Sequence, residues 1–204
     1  LAQDEVISVL DKNHKVPAKL LPVAKANDYQ EVATEENKVV FVPYEDMTQA
    51  EIMLISKGTE AFSLEEYIDS RLFNEYFGSG LSSIVFQEIR ESKALAYSAY
   101  AFNSSPSKKE DPHYFRAFIG TQADKMKQAI PAMQEIIENM PVSEELIQNA
   151  AKAILKKMNS ERITKSSIYW NYRAAAKKGF DRDIRKDAYD RIAAVAEDRA
   201  AAVA

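Results

Sequence analysis

Asn74-Glu75-Tyr76-Phe77-Gly78-Ser79-Gly80-Leu81-Ser82-Ser83-Ile84-Val85-Phe86-Gln87-Glu88-Ile89-Arg90-Glu91-Ser92-Lys93-Ala94-Leu95-Ala96-Tyr97-Ser98 is the stretch that decides the fold. It holds three changes of pattern. Leu64, Tyr67, Ile68, Leu72 and Tyr76 recur at helical period, and Gly78-Ser79-Gly80 should stop that helix. A second helix is predicted from about Leu81, with Leu81, Ile84, Val85 and Ile89 largely on one face. Residues 95–102 then read as a strand carrying two tyrosines.

Outward from this stretch the pattern continues on both sides. Ser63, with Glu66 three residues later, has capping-box spacing for the first helix. Two strands are predicted upstream, residues 39–42 and 51–56, joined by the polar turn 44–49 as a hairpin or near-hairpin. Downstream, 103–112 reads as a polar loop and 114–119 as a strand. Residues 121–140 form a helix that Pro131 should kink or divide. Ser143, followed by Glu144 and Glu145, opens the next helix, which is expected to run toward Tyr169, Trp170 and Tyr172. That aromatic patch is read as core or domain contact. A last helix covers 183–195, and the alanine-rich end is helical or frayed. Residues 1–36, with a short helix at 5–10, Pro17, Pro22 and the polar stretch 27–38, read as a connecting arm ahead of one domain, 37–204. Strand pairs adjacent in sequence favour antiparallel pairing. The expected class is α+β, a mixed, mostly antiparallel sheet with helices packed on one face.

Composition excludes several chemistries. The 204 residues include no cysteine, so disulfides, thiolate catalysis and cysteine-bound zinc are ruled out. Periplasmic and cytoplasmic proteins both fit that lack, and a soluble protein of either bacterial compartment is expected. The net charge is -4, and no like-charge run suggests nucleic acid or a membrane surface. No apolar stretch nears the ~20 residues of a bilayer span. The chain begins at Leu1 rather than Met, so a processed or excised piece is expected. Its only histidines are His14 and His113. A catalytic zinc needs about three protein ligands, and neither H-E-x-x-H nor H-x-x-E-H is present. Ser79, Ser82 and Ser83 have no evident base to activate them. Gly78-Ser79-Gly80 lacks the G-K-[ST] of a phosphate loop.

The quoted stretch resembles the pitrilysin/insulinase family of zinc metallopeptidases. Domains of that family carry Phe-x-Glu-x-Arg-Glu-x-x-Gly-Leu-Ala-Tyr-Ser after a glycine-rich turn. Phe86, Glu88, Arg90, Glu91, Leu95, Ala96, Tyr97 and Ser98 match it. Thr48-Gln49-Ala50 and the closing segment 189–195 agree more weakly, so the resemblance covers about residue 36 onward. It implies a half-domain of the pitrilysin/processing-peptidase type, one that binds no zinc. The zinc of the full enzyme would sit outside this chain, in a partner domain or subunit of the same family. The two halves would enclose a peptide substrate. The resemblance also implies that an arginine and a tyrosine seven positions apart reach the active site of the other half. Arg90 and Tyr97 stand there, the arginine to bind substrate and the tyrosine to bind it and stabilise the oxyanion. The alternatives are an inert scaffold or core subunit and a stand-alone peptide-binding module. Pattern alone favours the plainer reading, in which Arg90 caps a helix C-terminus and Tyr97 is a strand aromatic; the resemblance turns the choice toward the functional role. Ala94 departs from the family's glycine, and a positive φ at that position would strain it. Leu95, Tyr97, Ala99 and Ala101 share a face by alternation. The two small residues are expected to leave room for a peptide beside the tyrosine.

Overall fold

A computed structural model describes residues 2–25, 27, 34–58 and 61–197. The chain divides into two units, Leu1–Pro43 and Tyr44–Ala204. The first holds helix α1, Gln3–Asn13, which buries no residue. Of the polar stretch expected at 27–38, residues 28–33 lie outside the described residues. The strand expected at 39–42 is not formed. Val39, Val40, Phe41 and Val42 stand 77–97% exposed, and no described strand pairs with them. An apolar run is not a strand until a partner satisfies its N–H and C=O groups.

The second unit is built on a three-stranded antiparallel sheet in the order β1-β3-β2. The strands are β1 (Gln49–Lys57), β2 (Ser98–Ser104) and β3 (Tyr114–Gln122). β3 lies between the others, and Ile119 stands level with Ile52 on one side and Ala99 on the other. Alternation along the strands makes two unlike faces. Ile52, Leu54, Ala99, Ala101, Ala117 and Ile119 face the main core with Phe77, Ile84, Val85, Ile89, Ala129 and Met133. The other face is open and partly aromatic, with Tyr100 stacked on Phe118 at 4.9 Å and Arg116 lying 5.0 Å over the Tyr114 ring. This is the expected α+β layer, with helices on one face.

Helix α2 (Leu64–Phe73) starts at Ser63, whose Oγ accepts from the Glu66 amide. The Glu66 side chain does not complete a capping box; its Oε2 lies 3.5 Å from His113 Nε2. The chain then widens into a π-helical turn, Asn74–Gly78, with the Ser79 amide bonded five residues back to the Asn74 carbonyl. The second helix starts at Ile84, later than its spacing predicts, and becomes π-helical over Phe86–Ser92. Ile84, Val85 and Ile89 are buried as expected, but Leu81 is 72% exposed because it lies in the turn before the helix.

After β3 a 3-10 turn, Ala123–Lys125, leads into α3, Met126–Glu138. Pro131 sits inside α3 without dividing it. The buried stripe Ala129, Met133 and Ile136 spans the lost hydrogen bond. Ser143 caps α4, Glu144–Ser160, as its sequence predicts. α4 does not run on to the aromatic patch. Glu161 is extended, and α5 (Lys165–Lys177) begins anew at Thr164, which accepts from the Ser167 amide at 3.1 Å. Tyr169, Trp170 and Tyr172 are exposed rather than core. α6, Ile184–Glu197, packs Ala188 and Ile192 against Ala151 and Ile154 of α4. The alanine-rich end beyond 197 lies outside the described residues. Among the described residues no helix is long and apolar enough to cross a membrane.

Candidate functional site

The π-helical segment ends in a turn that carries the site. Lys93 bonds back to the Glu88 carbonyl and Leu95 to the Ile89 carbonyl, so the last turn is wide, and widened turns of this kind are frequent at functional sites. Ala94 adopts φ +49°, the left-handed value that its departure from glycine made a concern. Left-handed backbone costs an L-residue about 1–2 kcal/mol. Lys125 braces the turn by donating from Nζ to the Ala94 carbonyl at 3.0 Å. Thr121 adds a hydrogen bond from Oγ1 to the Leu95 carbonyl. Ala94→Gly should therefore raise stability by about 0.5–1 kcal/mol after glycine's greater unfolded entropy is subtracted. Thermal unfolding checks it: the midpoint should rise by roughly 1–4 °C, and a fall would show that the turn is not strained.

The turn brings Arg90 and Tyr97 to one cleft of about 260 Å³, lined also by Glu91, Ala94, Gln122 and Lys125. Tyr97 stands one residue before β2, and its amide bonds the Gly120 carbonyl at 2.9 Å. By alternation its side chain belongs to the helix side of the sheet. The helices end before it, so the residue is 58% exposed. Gln122 Nε2 donates to the Tyr97 hydroxyl oxygen at 3.2 Å. That leaves the phenolic proton free to be donated elsewhere. Arg90 lies with its guanidinium carbon 4.8 Å over the Phe86 ring, and its Nε is 3.8 Å from Glu91 Oε1. The room expected beside Tyr97 at Ala99 and Ala101 does not exist, since both are buried in the main core. Their small side chains instead let the π-helical turn approach β2, where Gly78 meets the Ala101 backbone.

Sequence reasoning missed Gln122 and Lys125. Both fall in the first turns of the helix expected at 121–140, and only the pairing of Tyr97 with Gly120 along β3 puts them beside the tyrosine. Among the described residues no three histidine, aspartate or glutamate side chains are placed to hold a metal ion. His113, 3% exposed, faces Glu66 and stacks on Phe62 with ring centroids 6.5 Å apart.

Comparison with known proteins gives consistent results. A protease from Helicobacter pylori superposes with a TM-score of 0.60 at 14% identity, over 96% of this chain and 48% of that one. The peptidase M16 inactive domain from Pseudomonas fluorescens superposes with a TM-score of 0.55 at 17% identity, over 72% of this chain and 34% of that one. At such identities the likeness speaks for the fold alone. An uncharacterised zinc protease of Bacillus subtilis, YmxG, is 35% identical over 92 residues, 45% of this chain and 22% of the relative. The chain spans between 22% and 34% of the length of the curated relatives it matches. The peptidase M16 inactive domain family matches residues 3–165, which takes in α1 and most of the arm as well as the sheet. On that match the chain belongs to the peptidase M16 inactive domain family.

Proposed function

We propose that this chain, with residues 37–204 as its peptidase-like domain behind an arm at 1–36, is the substrate-binding, chamber-forming part of a zinc endopeptidase. The zinc and its hydrolytic chemistry are supplied by another domain or subunit. The observation that carries the reading is the shared cleft: Arg90 and Tyr97, matched by motif to the family's paired residues, open onto the same space. Arg90 offers a permanently charged donor set for a peptide carbonyl or carboxylate. Its guanidinium lies over the Phe86 ring and its Nε contacts Glu91. Tyr97 offers a hydroxyl, oriented by Gln122, for the oxyanion that forms as the peptide bond is attacked.

Steady-state peptide hydrolysis by the full-length protein, alone or with its zinc-binding partner, tests this. Arg90→Ala should raise KM by about tenfold or more, the cost of a lost charged hydrogen bond. Arg90→Lys should recover only part of that, since lysine lacks the planar fork. An active enzyme whose kinetics ignore both Arg90→Ala and Tyr97→Phe would make the pair structural. An assembly that cleaves no peptide would favour the scaffold reading.

A further inference from the structure

Lys125 stands in the cleft with a charge that nothing in the proposed chemistry uses. Its Nζ spends one donor on the Ala94 carbonyl, and an ammonium has three. Among the described residues no carboxylate pairs with it. The one acid lining the cleft, Glu91, lies against Arg90 instead. Asp124, its neighbour in sequence, does not line the cleft. The cleft walls therefore carry Arg90 and Lys125 against Glu91 alone, and the charge left uncompensated is that of Lys125. The hydrogen bond to Ala94 holds the half-buried Lys125 at the wall of the cleft. The volume, about 260 Å³, falls below the ~300–1,000 Å³ of sites for drug-sized ligands. It suits one side chain.

We propose that Lys125 makes this cleft a carboxylate-binding subsite, so that the enzyme favours peptides with an aspartate or glutamate beside the scissile bond. The inference rests on the peptidase reading for the position of the peptide. It adds a substrate class set by charge, because a fixed cation both attracts an acidic residue and repels a basic one.

Fluorescence anisotropy with the full-length protein tests it without requiring turnover. The probes are fluorescein-labelled, C-terminally amidated decapeptides identical except for a central Glu, Gln or Lys. A fourth, with central Gln and a free C-terminus, separates a side-chain carboxylate from a terminal one. The Glu peptide should bind about tenfold tighter than the Gln peptide at low salt, and the margin should shrink in 0.5 M salt. Lys125→Gln keeps a donor for the Ala94 carbonyl and removes the charge, so it should reduce the margin to twofold or less. Lys125→Arg should retain it, and Lys125→Glu should turn the preference toward the Lys peptide. Equal binding of the Glu and Gln peptides, binding of none, a margin unmoved in Lys125→Gln, or tight binding of the free C-terminus alone would overturn the assignment. A charge preference that follows Lys125 while Arg90→Ala and Tyr97→Phe leave an active enzyme unchanged would sink the peptidase role of that pair and keep the subsite. The converse result would do the opposite.

Discussion

Gly78→Ala should come close to unfolding the domain. A Cβ at this position would lie 1.8 Å from the Ala101 carbonyl oxygen, 2.5 Å from its carbon and 2.8 Å from its Cα. All three are backbone atoms, so no rotamer change relieves the clash. Nor can the two elements simply part. Asn74 donates from Nδ2 to the Asn103 carbonyl at 3.0 Å and accepts from the Asn103 amide at 2.7 Å. The π-helical turn is thus tied to β2 one turn away from the contact. Inserting a methyl into a packed core typically costs ~1–3 kcal/mol through side-chain shifts. A backbone collision should exceed that, on the order of 3–5 kcal/mol, a large share of the ~5–15 kcal/mol that holds a domain folded. Gly80→Ala is the control. Its φ is +102°, yet an added Cβ meets nothing within 4 Å, so only the backbone penalty of about 1–2 kcal/mol applies. Denaturant midpoints should fall far more for Gly78→Ala than for Gly80→Ala. The reverse order, or a Gly78→Ala midpoint near that of the parent, would mean that the close approach is absent.

The same contact explains why part of this molecule was legible in its sequence and part was not. Alternation and helical period expose burial. They placed β1, β2 and β3 to within a few residues, and they identified Ile84, Val85 and Ile89 as core. Caps act through one short-range hydrogen bond, so Ser63 and Ser143 were readable too. The glycine missing at position 94 announced the positive φ found there. What failed depended on distant partners. The run 39–42 has strand composition but pairs with no described residue. Leu81 fits the period of the second helix, but that helix begins only at Ile84, so period alone assigned it a face it does not have. Ala99 and Ala101 look like open space in one dimension, and in three they are where Gly78 sits. In the site, the motif gave Arg90 and Tyr97. Gln122 and Lys125 arrive from β3 and the turn that follows it, through pairing that no local pattern records.

Tyr97→Phe should lower kcat in the assembled enzyme by about 10²–10³-fold while changing KM little. The substitution removes one oxygen and leaves the ring, its position before β2 and the backbone bond to Gly120 in place. An oxyanion exists only as the peptide bond is attacked, so a donor aimed at it binds the transition state more strongly than the substrate. Loss of such a donor is worth about 2.7–4 kcal/mol where water is excluded. In the isolated chain Tyr97 is exposed, so the full effect requires the other half and the peptide to cover the cleft. Gln122 makes the test sharper. Because it donates to the phenol oxygen, it fixes the direction of the remaining proton. Gln122→Ala should therefore reduce kcat by a smaller factor, about tenfold. Its effect should vanish when Tyr97 is already phenylalanine, a non-additivity that a double-mutant cycle reads directly. If the two substitutions instead act independently, Gln122 does not work through Tyr97. If Tyr97→Phe raises KM and leaves kcat alone, the hydroxyl holds the ground-state substrate and is no oxyanion donor.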